Sequence, residues 1–277
     1  MENLVLPFVE NVFMRNALVS GILAALVCGI VGTWMVLRGL SFIGDALAHG
    51  VLPGVAGALI LGFPGLAGAG LGALTMIGGI ALVQKRTRLS ADTAIGLLFV
   101  GMLALGVVIV SRSDSFSGDL IKILFGEILG AGAKDILVQA ISLLVLVFLA
   151  WLLRRPFLLL CFSPEHARMS GYNPKFLHTL MLVLIAGTVI VSFQTVGTML
   201  VFGLLVAPAA TASIFVHRMG LQMVVAGLIG SLGVCLGLLA SYWGRFAAGA
   251  SIILVVVGFF FVGLLISWLL ETVRKQT

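Results

Sequence analysis

Long apolar runs, each close to 20 residues and separated by short polar or glycine-containing breaks, dominate the 277-residue chain. About 20 apolar residues are what an α-helix needs to cross a hydrocarbon core roughly 30 Å thick. Such runs fall at about 16–37, 42–62, 65–84, 92–111, 135–153, 178–194, 197–216, 222–241 and 248–270. The pattern predicts an all-α, polytopic transmembrane helical bundle of nine spans, or eight if one tight hairpin does not make two crossings. The least regular runs are 65–84 and the 178–216 hairpin, whose turn is expected at Gln194 and Thr195. Residues 112–134 are amphipathic and interrupted by Gly118, Gly126, Gly130 and Gly132, which suits an interfacial or re-entrant helix. The chain, 1–277, reads as a single transmembrane domain.

One run breaks the apolar pattern. Asp45 and His49, in the string GDALAHGVLPG, are the only ionisable residues between Arg38 and Lys85. A carboxylate at the centre of a spanning helix costs roughly 2.5–3.5 kcal/mol on insertion scales. Residues four apart on a helix point the same way, one turn above the other. A carboxylate and an imidazole on one face can together hold a divalent cation. If helix runs on from Arg38 at the inner surface, the two sit roughly 10 and 16 Å deep, near the midplane where transporters place their sites. Pro53 and Gly54 follow one turn later, where the helix is expected to bend. The competing reading is an Asp–His hydrogen bond that merely packs helices.

Composition agrees with the span pattern. The chain is 61% hydrophobic and 9% charged, with a mean hydropathy of +1.25, against about 25% charged residues in soluble domains. Its 35 glycines include pairs at helical spacing, Gly29/Gly32, Gly126/Gly130 and Gly233/Gly237, which read as close-packing seams. Cys28, Cys161 and Cys235 are far apart, and Cys28 and Cys235 lie in apolar runs. No CxxC occurs, so neither a disulfide framework nor a thiolate metal site is expected. Nor is a cleavable signal expected, since the first basic residue, Arg15, follows Glu2 and Glu10.

Lysine and arginine placement sets an orientation. With the N-terminus outside, Arg38, Lys85, Arg86, Arg88, Arg154, Arg155, Arg168, Lys175, Arg218, Arg274 and Lys275 are cytoplasmic, and so is the C-terminus. Arg15, Arg112, Lys122, Lys134 and Arg245 fall outside, so eleven of the 16 basic residues are inside and five outside. The formal net charge of +6 is thus a topology signal and gives no support to nucleic-acid binding.

The longest polar segment is cytoplasmic, residues 154–178. Within it Ser163-Pro164-Glu165 reads as a helix start, with Ser as cap, Pro in the first turn and Glu near the positive end of the dipole. The short helix continues through His166, Ala167 and Arg168 to about Met169. Ser170 and Gly171 follow, Gly171 breaks the helix, and Asn173-Pro174 makes a turn. Such an element suits docking into a partner; a solvated connector is the alternative. No GxxxxGK[ST] motif occurs in the sequence, so ATP cannot be bound here through a P-loop, and any ATPase must be another polypeptide.

Several of these segments, in order, resemble the membrane permease subunit of bacterial ABC importers for zinc, manganese or iron. They are RGLSFIGDALAHGVLPGVAGA (38–58), ADTAIGLLFVGMLALGVVIVS (91–111), ILFGEILG (123–130), SPEHARMSG (163–171), VGTMLVFGLLVAPAATA (196–212) and GLLASYWGRFAAGASIIL (237–254). The resemblance covers nearly the full length and implies a type II-like importer permease in the bacterial plasma membrane. It implies a homodimer with two cytoplasmic ABC ATPase subunits and an extracytoplasmic metal-binding protein. It further implies that Asp45 and His49 touch the transported ion, and that residues 163–171 couple to the ATPase. The chain departs from the family pattern at Gly244, Arg245, Phe246 and Ala247, where an acidic or amide residue followed by proline is usual.

In a two-fold dimer two Asp45 and two His49 would meet on the axis. Four N/O ligands suit Zn²⁺ or Mn²⁺, with Fe²⁺ also served, and no permanently bound cofactor is expected. Two other functions compete: a proton-coupled transporter or channel working without ATP, and an intramembrane enzyme, for which no HExxH helix or nucleophile motif is present. The remaining polar residues carry blander expectations. Asp92, after Ser90, reads as a helix cap, and His166, His178 and His217 as interfacial side chains. Asp114, Asp119 and Glu127 form an acidic outer segment.

Overall fold

The computed structural model describes residues 11–111 and 128–274. Within them, α1 is Val12–Leu37, α2 Ser41–Gly50, α3 Leu52–Ile60, α4 Gly65–Arg86 and α5 Ala91–Val110. A 3-10 turn at Ile128–Gly130 precedes α6 (Ala133–Phe162), α7 (Pro164–Met169), α8 (Pro174–Val196), α9 (Thr198–Phe215), α10 (Met219–Gly244) and α11 (Ala248–Arg274). Helices α2 and α3 form one span interrupted at Val51, so nine segments among the described residues are long and apolar enough to cross a membrane. The expected bundle is therefore all-α, with the larger of the two span counts.

Burial sorts the helices into inner and outer members. In the most apolar stretch of Ser41–Ile60, 72% is buried, and in that of Val12–Leu37 67%, against 6% for Ala133–Phe162 and 17% for Ala248–Thr272. Helix α1 packs on α10, α9, α6 and α8, while α2 is enclosed by α5, α9, α8 and α4. Exposed Leu144, Phe148, Trp151, Leu254 and Phe261 give α6 and α11 the apolar outer faces that lipid requires.

Small residues set the closest approaches. A Cβ on Gly29 would lie 2.7 Å from the backbone nitrogen of Gly227, one on Gly32 would strike the Leu205 carbonyl, and one on Gly237 would lie 2.5 Å from Ile252 Cα. Backbones at this range gain dispersion contact that larger side chains would forbid. The seams expected at Gly29/Gly32 and Gly233/Gly237 are thus real interfaces. Gly126 lies outside the described residues, and Gly130 ends the 3-10 turn.

Three boundaries differ from the sequence expectation. Helix α6 continues nine residues past 153, through Arg154, Arg155 and Pro156 to Phe162, because Phe157 and Leu160 bury themselves and hold it. Phe157 meets Trp34 edge-on at 4.9 Å. The irregular connection between these spans therefore shrinks to α7 and the few residues around it. Second, the 178–216 hairpin turns at Gly197, not at Gln194 and Thr195, which remain within α8. Third, helix does not run on from Arg38: α1 ends at Leu37, the chain reverses through Gly39 (φ 67°), and α2 starts afresh at Ser41.

Of the segment 112–134, residues 112–127 lie outside the described residues, and with them Asp114, Asp119 and Glu127. The remainder enters the bundle through Ile128, which is buried beside Gly21 of α1.

A candidate metal site in the broken span

The new helix start resets the depth of the two polar residues. Asp45 is four residues and His49 eight residues beyond Ser41, roughly 6 and 12 Å along an axis about 29 Å long. His49 is therefore close to the middle of its span. The stripe Phe42–Asp45–His49, spaced three and four apart, lies along one face of α2. Exposure falls along it: Phe42 is 46% exposed, and the Asp45 and His49 side chains 24% and 9%.

Within this stripe His49 Nε2 stands 3.5 Å from Asp45 Oδ1. With metal–donor bonds of about 2.1 Å, donors at that separation subtend roughly 110° at a shared ion, an angle a small divalent cation accepts. By distance the pair can thus offer one nitrogen and one oxygen to the same ion. His49 Nδ1 is buried and makes no hydrogen bond among the described residues. One face of the imidazole environment is instead supplied by Phe99 of α5, its ring centroid 5.4 Å away at 71°. Phe99 also meets Phe42, at 5.9 Å.

Backbone geometry fixes the stripe from behind. Pro53 is the second residue of α3, just after the break, where it has no N–H to give to the ladder. A Cβ on Gly106 of α5 would lie 3.3 Å from the Pro53 nitrogen, so α5 packs directly on the interruption. A Cβ on Gly54 would meet the carbonyl of Gly68, which ties α3 to α4 backbone to backbone. On its other side α2 touches α1 and α9 at Gly44, through Met35 and Phe202.

Among the described residues no group of three or more His, Cys, Asp or Glu converges. One chain therefore brings together two such donors, Asp45 and His49. His166 and His217 are exposed and His178 is half-buried, all remote in sequence from the pair. At the start of α5, Ser90 rather than Asp92 is the cap: its hydroxyl accepts from the Thr93 N–H at 3.2 Å, and Asp92 occupies the first turn. The three cysteines are unpaired.

The short element between α6 and α8 is built as its sequence implies. Ser163 accepts the Glu165 N–H at 3.2 Å, Pro164 opens α7, and Ala167 is fully buried, pinning the helix to the bundle. Gly171 (φ 84°) turns the chain, and Asn173 caps α8 through the Lys175 N–H at 3.1 Å. Glu165, His166, Arg168, Met169, Ser170 and Gly171 remain exposed, Met169 to 87%. An open hollow beside them is lined by Arg168, Tyr172, Asn173 and Lys175.

A polar chain that sequence reading missed crosses three helices. Ser20 of α1 donates to Gln139 Oε1 of α6 at 2.8 Å, and Gln139 Nε2 donates to Thr195 of α8 at 2.6 Å. All three are buried. The signal was present: Gln139 is a lone amide in an otherwise apolar run. Phe99 carried no such signal, because an aromatic in an apolar helix looks like any other.

A polytopic helical bundle with a carboxylate–imidazole pair inside a broken span and an exposed short helix between two spans defines a membrane transport protein. The chain belongs to the ABC 3 transport family, which it matches over residues 10–267. It is 35% identical over 253 residues to the manganese transport system membrane protein MntC of Listeria monocytogenes, covering 91% of this chain and 90% of that one. It is 37% identical over 254 residues to the chelated iron transport system membrane protein YfeD of Yersinia pestis, covering 91% and 85%. Among solved structures it resembles PsaBC from Streptococcus pneumoniae in complex with Fab, at a TM-score of 0.86 and 33% identity over 94% of each chain.

Proposed function

We propose that this chain is the membrane-spanning subunit of an ATP-driven importer, and that a divalent transition metal is its cargo, passing the Asp45–His49 site. The observation that carries this reading is the 3.5 Å approach of His49 Nε2 to Asp45 Oδ1 inside a membrane span. Charge in such a place is costly and is ordinarily retained for ion passage. The relatives above are named for manganese and iron, and a carboxylate–imidazole set without thiolate suits both Mn²⁺ and Fe²⁺. Manganese is the first cargo to test; zinc, equally compatible with the donors, comes after.

Two donors are a half-site. A homodimer with its two-fold axis at the α2 face would present two Asp45 and two His49, and two carboxylates would neutralise a divalent charge. The ion would be held briefly and released. Helix α7, pinned by Ala167 and otherwise exposed, would dock one of two cytoplasmic ATPase subunits, and an extracytoplasmic binding protein would deliver the metal. The basic residues favour a cytoplasmic C-terminus, and an odd number of crossings would place the two ends on opposite sides of the plasma membrane.

The test is metal accumulation in cells whose only copy of this chain is Asp45→Asn or His49→Ala, grown under manganese, iron or zinc limitation. Loss of uptake of one metal, with normal amounts of chain in the membrane, is the expected result. Normal accumulation in both variants would remove the assignment. Uptake driven by a proton gradient in vesicles lacking any ATPase would favour the proton-coupled alternative.

A further inference from the structure

A metal-binding histidine is usually oriented by the hydrogen bond that its second ring nitrogen gives to a carboxylate, a carbonyl or water. In His49 no protein group among the described residues takes that second bond. Its Nε2 faces Asp45, and its Nδ1 is buried with no hydrogen-bond partner among the described residues. An aromatic contact does bear on the ring. Phe99 lies edge-on to the imidazole at 5.4 Å, within the range of favourable aromatic pairs. Phe99 is in turn held by Phe42 at 5.9 Å, about two helical turns before His49 on α2. Gly106, seven residues beyond Phe99 on α5, sits on the backbone at Pro53 and fixes how far α5 can approach. The ring that steadies the ligand is thus placed by contacts at both ends of the stripe.

We propose that Phe99 is a positioning residue for the metal site, holding the His49 ring so that Nε2 converges with the Asp45 carboxylate. This rests on the reading of Asp45 and His49 as ion ligands. Phe99 touches no ion itself. Its removal frees the imidazole to rotate about χ2, and a rotated ring points Nε2 away from the carboxylate. Replacing the benzene ring by a branched aliphatic of smaller breadth keeps the site apolar but loses the edge-on contact. A tyrosine or tryptophan ring keeps it.

The experiment uses the purified full-length chain in detergent with Co²⁺ alone, followed by visible d–d absorption, which reports both affinity and coordination geometry. Phe99→Leu is expected to weaken Co²⁺ binding roughly 3- to 10-fold, the equivalent of one aromatic contact, and to change the band shape. Phe99→Tyr is expected to restore both. In a His49→Ala background Phe99→Leu should cost nothing further, because the ring it positions is gone. Phe99→Leu with unchanged affinity and bands, or an equal loss with and without His49, would overturn the proposal. If Asp45→Asn and His49→Ala themselves bind Co²⁺ like the parent chain, the ligand reading fails first and takes this inference with it. Phe99→Tyr carries the test should Phe99→Leu not fold: a tyrosine variant with lost affinity also overturns the proposal.

Discussion

Gln139 of α6 and Thr195 of α8 share a 2.6 Å hydrogen bond that is wholly buried, and the same amide accepts from Ser20 of α1 at 2.8 Å. One side chain therefore joins three helices where no water competes. Gln139→Leu removes both bonds and strands the Ser20 hydroxyl. Interhelical hydrogen bonds in membranes average about 0.6 kcal/mol and reach about 1.7, so the expected loss is on the order of 1–2 kcal/mol. Thermal unfolding in detergent should show the drop, and Thr195→Val, which breaks one interhelical bond and the hydroxyl's local bond to the Ser192 carbonyl but leaves Ser20 paired, should cost less.

Gly54 and Gly57 lie one turn apart on α3 yet have opposite surroundings. A Cβ at Gly54 would strike the Gly68 carbonyl, whereas one at Gly57 meets nothing within 4 Å. Gly54→Ala is expected to destabilise by about 1–3 kcal/mol through overpacking. Gly57→Ala should be neutral or slightly stabilising, by up to about 1 kcal/mol from helix propensity. A paired melting measurement decides it; equal effects would mean that α3 and α4 are not in backbone contact.

The connection between α8 and α9 is a single residue, Gly197, at φ 79° and ψ 157°. That conformation is essentially closed to residues with a Cβ. Gly197→Ala is expected to cost about 1–3 kcal/mol. The loss should appear in the apparent Tm and in the amount of chain accumulated in the membrane.

On α7, Ala167 is fully buried and Met169 is 87% exposed. Met169→Glu should leave folding unchanged and lower uptake by preventing ATPase docking, read as loss of ATPase co-purification. Ser163→Ala removes the cap and should loosen the same helix by about 1 kcal/mol. Co-purification that survives Met169→Glu would place the docking surface elsewhere.

The spans were legible because burial in lipid imposes long apolar runs whatever the tertiary contacts. Asp45 and His49 were legible for the same reason, since a charge stands out where hydropathy is uniform. Boundaries were harder. Arg154, Arg155 and Pro156 look like the end of a helix, but packing of Phe157 on Trp34 carries α6 onward. Gln194 and Thr195 look like a turn because they are polar, yet Thr195 is held in α8 by Gln139, a partner 56 residues away. Phe99 was invisible, because its role depends on which ring it faces.

The glycine contacts divide the molecule in a way that bears on motion. Gly29 with Gly227, Gly32 with Leu205, and Gly237 with Ile252 weld α1, α9, α10 and α11 backbone to backbone. Gly54 with Gly68, and Gly106 with Pro53, weld α3, α4 and α5. Between these two bodies runs α2, which meets the first through the flexible side chain of Met35 and the ring of Phe202. Rigid welds resist shear, and a thioether yields to it. Relative displacement of the two bodies would therefore be absorbed at the Gly44 seam, one residue from Asp45, and any such slip would turn Asp45 and His49 as a unit with the helix that bears them.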